Sequence, residues 1–198
     1  MSFGVRALSL LGFPALAAFF VVFSVASAAK PESVAELLRK GDQARKEMKN
    51  GLAMDYFNKA VRLYPANADV YHTRSDMYKE LGAIDKAIAD EERACQLEPH
   101  CVPYLEKRAS LYCMSGRLQE GIKACDFLIN NEKQVSDSIY RLRAVSFKKL
   151  KRYDEAGKAF ALAAEAHKNS RDYHMNLYDA GDMYLLAGKD EVALSYFE

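Results

Sequence analysis

Bulky and small side chains recur along this chain with a period close to that of one helical hairpin. The bulky positions Leu37, Tyr71, Leu105, Tyr140 and Leu177 are separated by 34, 34, 35 and 37 residues. Four residues after each comes a small one: Gly41, Ser75, Ala109, Ala144 and Gly181. Three further on stand Ala44, Tyr78, Tyr112, Phe147 and Tyr184, aromatic in four of five. Offsets of three and four share one face of a helix, so each set predicts one helix. A second set follows each. Ala53, Ala87, Gly121, Ala156 and Ala193 are small, Phe57, Phe160 and Phe197 come four residues later, and Ala60, Ala94 and Ala163 three beyond that. A small residue between bulky ones is a hole for a neighbour's knob, and it lets helix axes approach to about 8–10 Å. Asn50-Gly51, Leu81-Gly82, Ser115-Gly116 and Ala187-Gly188 read as turns between the two helices of a copy. Lys151 to Ala156 reads as a turn into a helix without the glycine. Pro65 and Pro99 end second helices, because proline cannot continue one. The pattern therefore predicts an all-α chain of stacked hairpins.

Departures from the columns carry their own expectations. Glu91 and Cys125 occupy the second aromatic column, and Leu128 replaces an alanine. A buried carboxylate needs a partner, so Glu91 is expected to rotate outward. Lys133 and Lys168 stand in the proline column, where the third and fourth copies are lengthened.

The order bulky, small, aromatic, then small, aromatic, small and proline resembles the tetratricopeptide repeat. The resemblance covers residues 34–198, in copies at about 34–67, 68–101, 102–136, 137–173 and an incomplete 174–198. It implies a right-handed α-solenoid of about five hairpins that binds polypeptides without catalysis. A terminal repeat needs a polar capping helix. Phe197-Glu198 instead lies inside the second helix of the fifth copy, which predicts a fragment, a shortened product or an end covered by a partner.

The first thirty residues change the picture. Arg6 is the single charge from Met1 to Ala29, the run between is apolar, and it ends in Ala26-Ser27-Ala28. That small-x-small ending predicts a signal peptide over residues 1–28, removed on export. The competing reading is an uncleaved anchor. Positions 7–29 are long enough for a bilayer, which takes roughly 20 apolar residues, and Lys30, Arg39, Lys40, Arg45 and Lys46 outnumber Arg6. Membrane attachment is expected only in that case. Charge excludes another class: 28 Lys and Arg against 27 Asp and Glu gives no general attraction to phosphate, so nucleic acid is not an expected partner.

No catalytic or cofactor motif is present: no phosphate loop, no nucleophile elbow, no H-E-x-x-H. His72, His100, His167 and His174 lie apart without ligand spacing. The chain is thus expected not to be an enzyme and to hold no cofactor, metal or small-molecule substrate. Cys95, Cys101, Cys113 and Cys125 form no C-x-x-C pair. Disulfides Cys95–Cys101 and Cys113–Cys125 are conceivable in an oxidising compartment, and Cys113 and Cys125 equally suit small core positions.

Binding remains. In a hairpin solenoid the first helices line the concave face. Helical register puts Leu38, Asp42 and Arg45 there in copy one, and His72, Asp76 and Lys79 in copy two. It adds Glu106, Ser110, Cys113 and Met114 in copy three, Arg141, Val145 and Lys148 in copy four, and Tyr178, Asp182 and Leu185 in copy five. Family members that hold heat-shock chaperone tails use a two-carboxylate clamp of Lys, Asn and Arg. The matching places here are Leu38, Asp42, Thr73, Pro103 and Lys107, where only Lys107 is positive and Asp42 would repel a carboxylate.

An export signal leading straight into such repeats resembles the luminal J-domain co-chaperones of the endoplasmic reticulum, through Val34-Ala35-Glu36-Leu37-Leu38 and Gly41. The resemblance implies a protein of the endoplasmic-reticulum lumen that holds unfolded client polypeptides beside a BiP-type chaperone. The J-domain and its His-Pro-Asp signature are absent from the sequence, so stimulation of an ATPase is not implied. The alternative is a membrane-anchored or periplasmic assembly scaffold with a specific folded partner.

Overall fold

The computed structural model describes residues 32–132 and 135–197. The signal-sequence or anchor reading of the N-terminus and the Lys133 position lie outside them. Among the described residues there are ten helices and no strand. They are α1 (Val34–Lys46), α2 (Asn50–Leu63), α3 (Ala68–Glu80), α4 (Ile84–Leu97), α5 (Val102–Met114), α6 (Leu118–Asn131), α7 (Asp137–Lys149), α8 (Tyr153–Ala166), α9 (Tyr173–Leu186) and α10 (Asp190–Leu194). Each helix packs on the one before and the one after it, and first helices also touch across pairs, α1 on α3 and α5 on α7. The result is a solenoid of helical hairpins in which every layer covers its neighbour.

The small columns read from sequence lie in the core, whereas the bulky column is mixed, Leu37 and Leu105 buried and Tyr71, Tyr140 and Leu177 half-buried. Gly41, Ser75, Ala109, Ala144 and Gly181 are all buried, as are Ala53, Ala87, Gly121, Ala156 and Ala193. Large groups seat over the smallest ones: a β-carbon added at Gly41 would overlap the Phe57 ring, one at Gly181 the Phe197 ring, and one at Gly121 the Cys113 sulfur. Where the small residue is serine, its hydroxyl is satisfied by the facing helix. Ser75 Oγ donates to the Ala87 carbonyl at 2.9 Å, and both residues are buried.

The turns inside the pairs share one geometry. The amides of Lys49, Ala83, Arg117, Arg152 and Lys189 each donate back to the carbonyls of Ala44, Tyr78, Tyr112, Phe147 and Tyr184, at 2.9–3.0 Å. That six-to-one bond closes a helix only if the residue before the donor is left-handed. Gly82, Gly116 and Gly188 supply it with φ of 74, 82 and 71°, but Met48 and Lys151 occupy the same column at 59 and 58°. The turn expected at Asn50-Gly51 is therefore displaced: both residues begin α2, and Met48 makes the turn. A left-handed non-glycine residue costs roughly 1–2 kcal/mol, and Met48 is 87% exposed with no packing to lose. Met48→Gly is expected to raise stability by up to about 1 kcal/mol, read as a higher urea midpoint; an unchanged or lower midpoint would contradict it.

One sequence expectation is corrected here. Glu91 does not rotate outward: its side chain is 0% exposed. It lies between Ala87 and Ala94 on one face of α4, both of them also fully buried, so turning the glutamate to solvent would turn the packing face with it. Neither conceivable disulfide is formed; all four cysteines are free, with Cys95, Cys113 and Cys125 buried. The lengthened copies appear as longer connections, residues 132–136 and 167–172 against 64–67 and 98–101.

Candidate peptide-binding groove

The first helices α3, α5 and α7 are set side by side by the small columns, and their exposed faces converge on a cavity of about 410 Å³. His72, Glu106, Lys107 and Ser110 form its polar part, and Pro103, Ser138, Ile139 and Leu142 the rest. A second cavity of about 670 Å³ opens between α9 and Tyr196 and Phe197, which follow α10, with His174, Tyr178, Asp182 and Leu185 among its lining residues. The structure thus gathers His72, Glu106 and Ser110 in one place and Tyr178, Asp182 and Leu185 in another.

The other expected groove residues line neither cavity, and several of them are engaged in ion pairs or hydrogen bonds within or between helices. Asp42 pairs with Arg45 at 3.0 Å, and Arg45 reaches Glu80 of α3 at 3.5 Å. Asp76 binds Lys107 of α5 and lies 3.7 Å from Lys79. Arg141 donates to Asn176 of α9 at 3.1 Å, with Asp172 at 3.6 Å and Asp179 at 4.0 Å. Leu38 packs into the core around Phe57 and Leu37, and Val145 into that around Phe160. Met114 and Lys148 are exposed, and the Cys113 thiol is buried 3.1 Å from Ser146 Oγ.

Sequence reasoning missed Pro103, Lys107, Ser138 and Leu142 as groove-lining positions. They stand two places before and two after the bulky column, which at roughly 100° per residue lies nearer the centre of the face than the row taken eight places after it. That angular sum was the available signal.

The electrostatics are those of a self-neutralised surface. Burial works to raise the Asp76 carboxyl, but the Lys107 ammonium, with His72 and Lys79 further off, carries it below its ordinary value. Lys107, the one cation at a clamp-like place, is therefore already engaged by Asp76. Glu106 accepts a hydrogen bond from the Ser136 backbone N–H at 2.9 Å. Beneath the groove, His72 Nδ1 lies 2.9 Å from the buried Glu91 carboxylate, and its ring packs on Tyr104 with centroids 4.8 Å apart. Burial pushes the Cys95 thiol up to about 11 and Cys125 up to about 12, and raises Cys113 as well. Those three stay protonated at neutral pH, the poorly nucleophilic state of a core cysteine.

Stacked helical pairs, glycine and alanine holes and a groove of first helices define a helical repeat protein. Residues 68–101, which hold α3 and α4, match the tetratricopeptide repeat family model, so the chain contains a tetratricopeptide repeat. It is 24% identical over 172 residues to the mitochondrial import receptor subunit TOM70 of Rattus norvegicus, covering 79% of this chain and 26% of the receptor. It is 33% identical over 69 residues to the Hsp70-Hsp90 organizing protein of Triticum aestivum, covering 35% of this chain and 12% of that protein. The chain thus spans about a quarter or less of these relatives. Among solved structures it superposes on MamA with a TM-score of 0.72 at 18% identity, over 83% of this chain and 87% of that one. That likeness concerns the fold.

Proposed function

We propose that this chain is a non-catalytic module that holds polypeptide segments along the groove of its first helices. The observation that carries the reading is the cavity shared by α3, α5 and α7, where apolar Pro103 and Leu142, above the buried Ile139, face polar Glu106, Lys107 and Ser110. A mixed surface of this kind suits a flexible chain with scattered apolar residues, each contact weak and the sum useful along its length. Among the relatives, one is named an import receptor subunit and another an organizing protein of Hsp70 and Hsp90, which fits a polypeptide as the partner. The groove is made of about five repeat copies at 34–67, 68–101, 102–136, 137–173 and 174–198.

The finer reading is co-chaperone-like holding of unfolded clients in the endoplasmic-reticulum lumen, beside a BiP-type chaperone, after removal of residues 1–28. Its support is the apolar run ending in Ala26-Ser27-Ala28. The same run favours the alternative, a membrane-anchored or periplasmic scaffold. No helix among the described residues is long and apolar enough to cross a membrane.

The chain from Ala29 or Lys30 onward is expected to suppress aggregation of a chemically denatured protein at a few-fold molar excess. No suppression, with folding confirmed by circular dichroism, would remove the holding function. N-terminal sequencing of the exported protein separates the two locations: a start at Ala29 or Lys30 supports the lumen, and an intact Met1 the anchor.

A further inference from the structure

The cavity between α3, α5 and α7 rests on a buried polar pair in an inner layer of the solenoid, where α2 packs on α3 and α5 on α4. Glu91 of α4 is 0% exposed, and a carboxylate only accepts hydrogen bonds, so His72 Nδ1–H donates to its Oε1 at 2.9 Å. The ring is held a second time by its packing on Tyr104, whose hydroxyl donates to Asp69 Oδ1 at 2.6 Å. A neutral histidine that carries its proton on Nδ1 presents Nε2 as an acceptor. His72 lines the cavity, and its Nε2 has no hydrogen bond with any described residue. That nitrogen is not one of the buried, unpartnered polar atoms, as Glu91 Oε2 is. It is open to the groove.

The charges around it cancel. Asp76 binds Lys107 and lies 3.7 Å from Lys79, and Glu106 lines the same cavity, so two carboxylates stand against two ammonium groups. A charged side chain entering here would give up its water for no net attraction. An apolar one would fit against Pro103 and Leu142 but leave Nε2 and the Glu106 carboxylate desolvated without donors. A carboxamide meets both demands. Its NH2 group brings two hydrogens, and its carbonyl accepts from the Ser110 hydroxyl, whose contact within the protein is a long one, 4.0 Å to Met114 Sδ. We infer that this cavity takes the asparagine or glutamine side chain of a bound polypeptide segment. His72 Nε2 is the acceptor that reads its N–H, and Glu91 is the positioning residue that keeps Nε2 unprotonated. The inference rests on the reading of the groove as a polypeptide-binding surface and adds the chemistry of one anchor residue to it.

The test uses fluorescein-labelled serine-rich peptides carrying Leu-Gln-Leu, Leu-Met-Leu, Leu-Glu-Leu or Leu-Lys-Leu. They are titrated with the protein at about pH 8, above the ordinary range of histidine, and followed by anisotropy. The glutamine peptide is expected to bind roughly threefold to tenfold more tightly than the methionine one of similar shape, the value of one hydrogen bond, and more tightly than the charged two. Glu91→Met combined with His72→Phe keeps a ring against Tyr104 and removes both polar groups, and it should abolish the preference. Glu91→Met alone should weaken it, and Lys148→Ala, an exposed change elsewhere on the first helices, should leave it intact. Circular dichroism checks that each variant is folded; if the double variant is not, Glu91→Met alone decides. Two-bond proton–nitrogen correlation spectra of the imidazole give a readout that packing alone would not move. The His72 ring should carry its proton on Nδ1 in the parent and shift toward Nε2 in Glu91→Met. Equal binding of the glutamine and methionine peptides, tighter binding of a charged one, a preference unchanged by the Glu91 variants, or a parent ring protonated on Nε2 each overturns the anchor and leaves the general groove reading standing. Failure of every peptide to bind removes both.

Discussion

Phe57→Ala is expected to cost about 3–5 kcal/mol of unfolding free energy, the range for deleting a buried phenylalanine where the surroundings cannot collapse. The Phe57 ring is fully buried with Ala44, Ala53 and Met77, and it fills the notch left by Gly41 on the facing helix. Gly41→Ala should also destabilise, by about 1–3 kcal/mol, since the new methyl would collide with that ring. Taken alone these are two ordinary core losses; the combination is what tests the packing. Gly41 sits inside α1 with helical geometry, so alanine there gains about 1 kcal/mol of helix propensity once the collision is gone. In the Phe57→Ala background, Gly41→Ala should therefore be neutral or stabilising, a reversal of sign that urea titration of the four proteins reads directly. Simple addition of the two losses would mean that the ring and the notch do not form one contact.

The same logic explains how much of the fold was legible. A residue in a repeated column is buried by the helices on either side, whatever its own chemistry, so Cys125 and Leu128 are as buried as the Phe and Ala they replace. Glu91 was misjudged because its polarity was weighed above its column, although Ala87 and Ala94 already fixed the direction in which it points. Met48 was missed at the first turn for a related reason. The search was for glycine, and Asn50-Gly51 offered one nearby, whereas the column 34 residues before Gly82 leads to Met48.

The candidate site was less legible, because its pairings join residues about one repeat apart. Lys107 to Asp76, Arg141 to Asn176 and Arg45 to Glu80 are separated by 31, 35 and 35 positions. Side chains read from one helix alone look free for a ligand; only the stacking of the next helix shows that most of them are occupied.

Glu91 supplies the second large effect. Its carboxylate is wholly buried, with Oε1 held by His72 Nδ1 at 2.9 Å and Oε2 without a hydrogen-bond partner among the described residues. His72→Ala would leave the buried group without its hydrogen-bond partner, and a stability loss of about 3–5 kcal/mol is expected. Part of any such loss comes from the His72–Tyr104 ring contact, so the variant alone does not isolate the pair. Glu91→Met does, because methionine fits the volume and suits a column otherwise filled by Phe57, Cys125 and Phe160. Replacing a buried polar pair with a well-packed apolar group is often neutral or stabilising, and Glu91→Met should fall within about 1 kcal/mol of the parent. In that background His72→Ala should cost no more than about 1.5 kcal/mol, the value of the ring contact alone. Denaturant titration of the cycle gives the coupling as the difference. A His72→Ala loss that is the same with Glu91 and with Met at that position would show that the histidine is held by packing, and that the glutamate draws nothing from it.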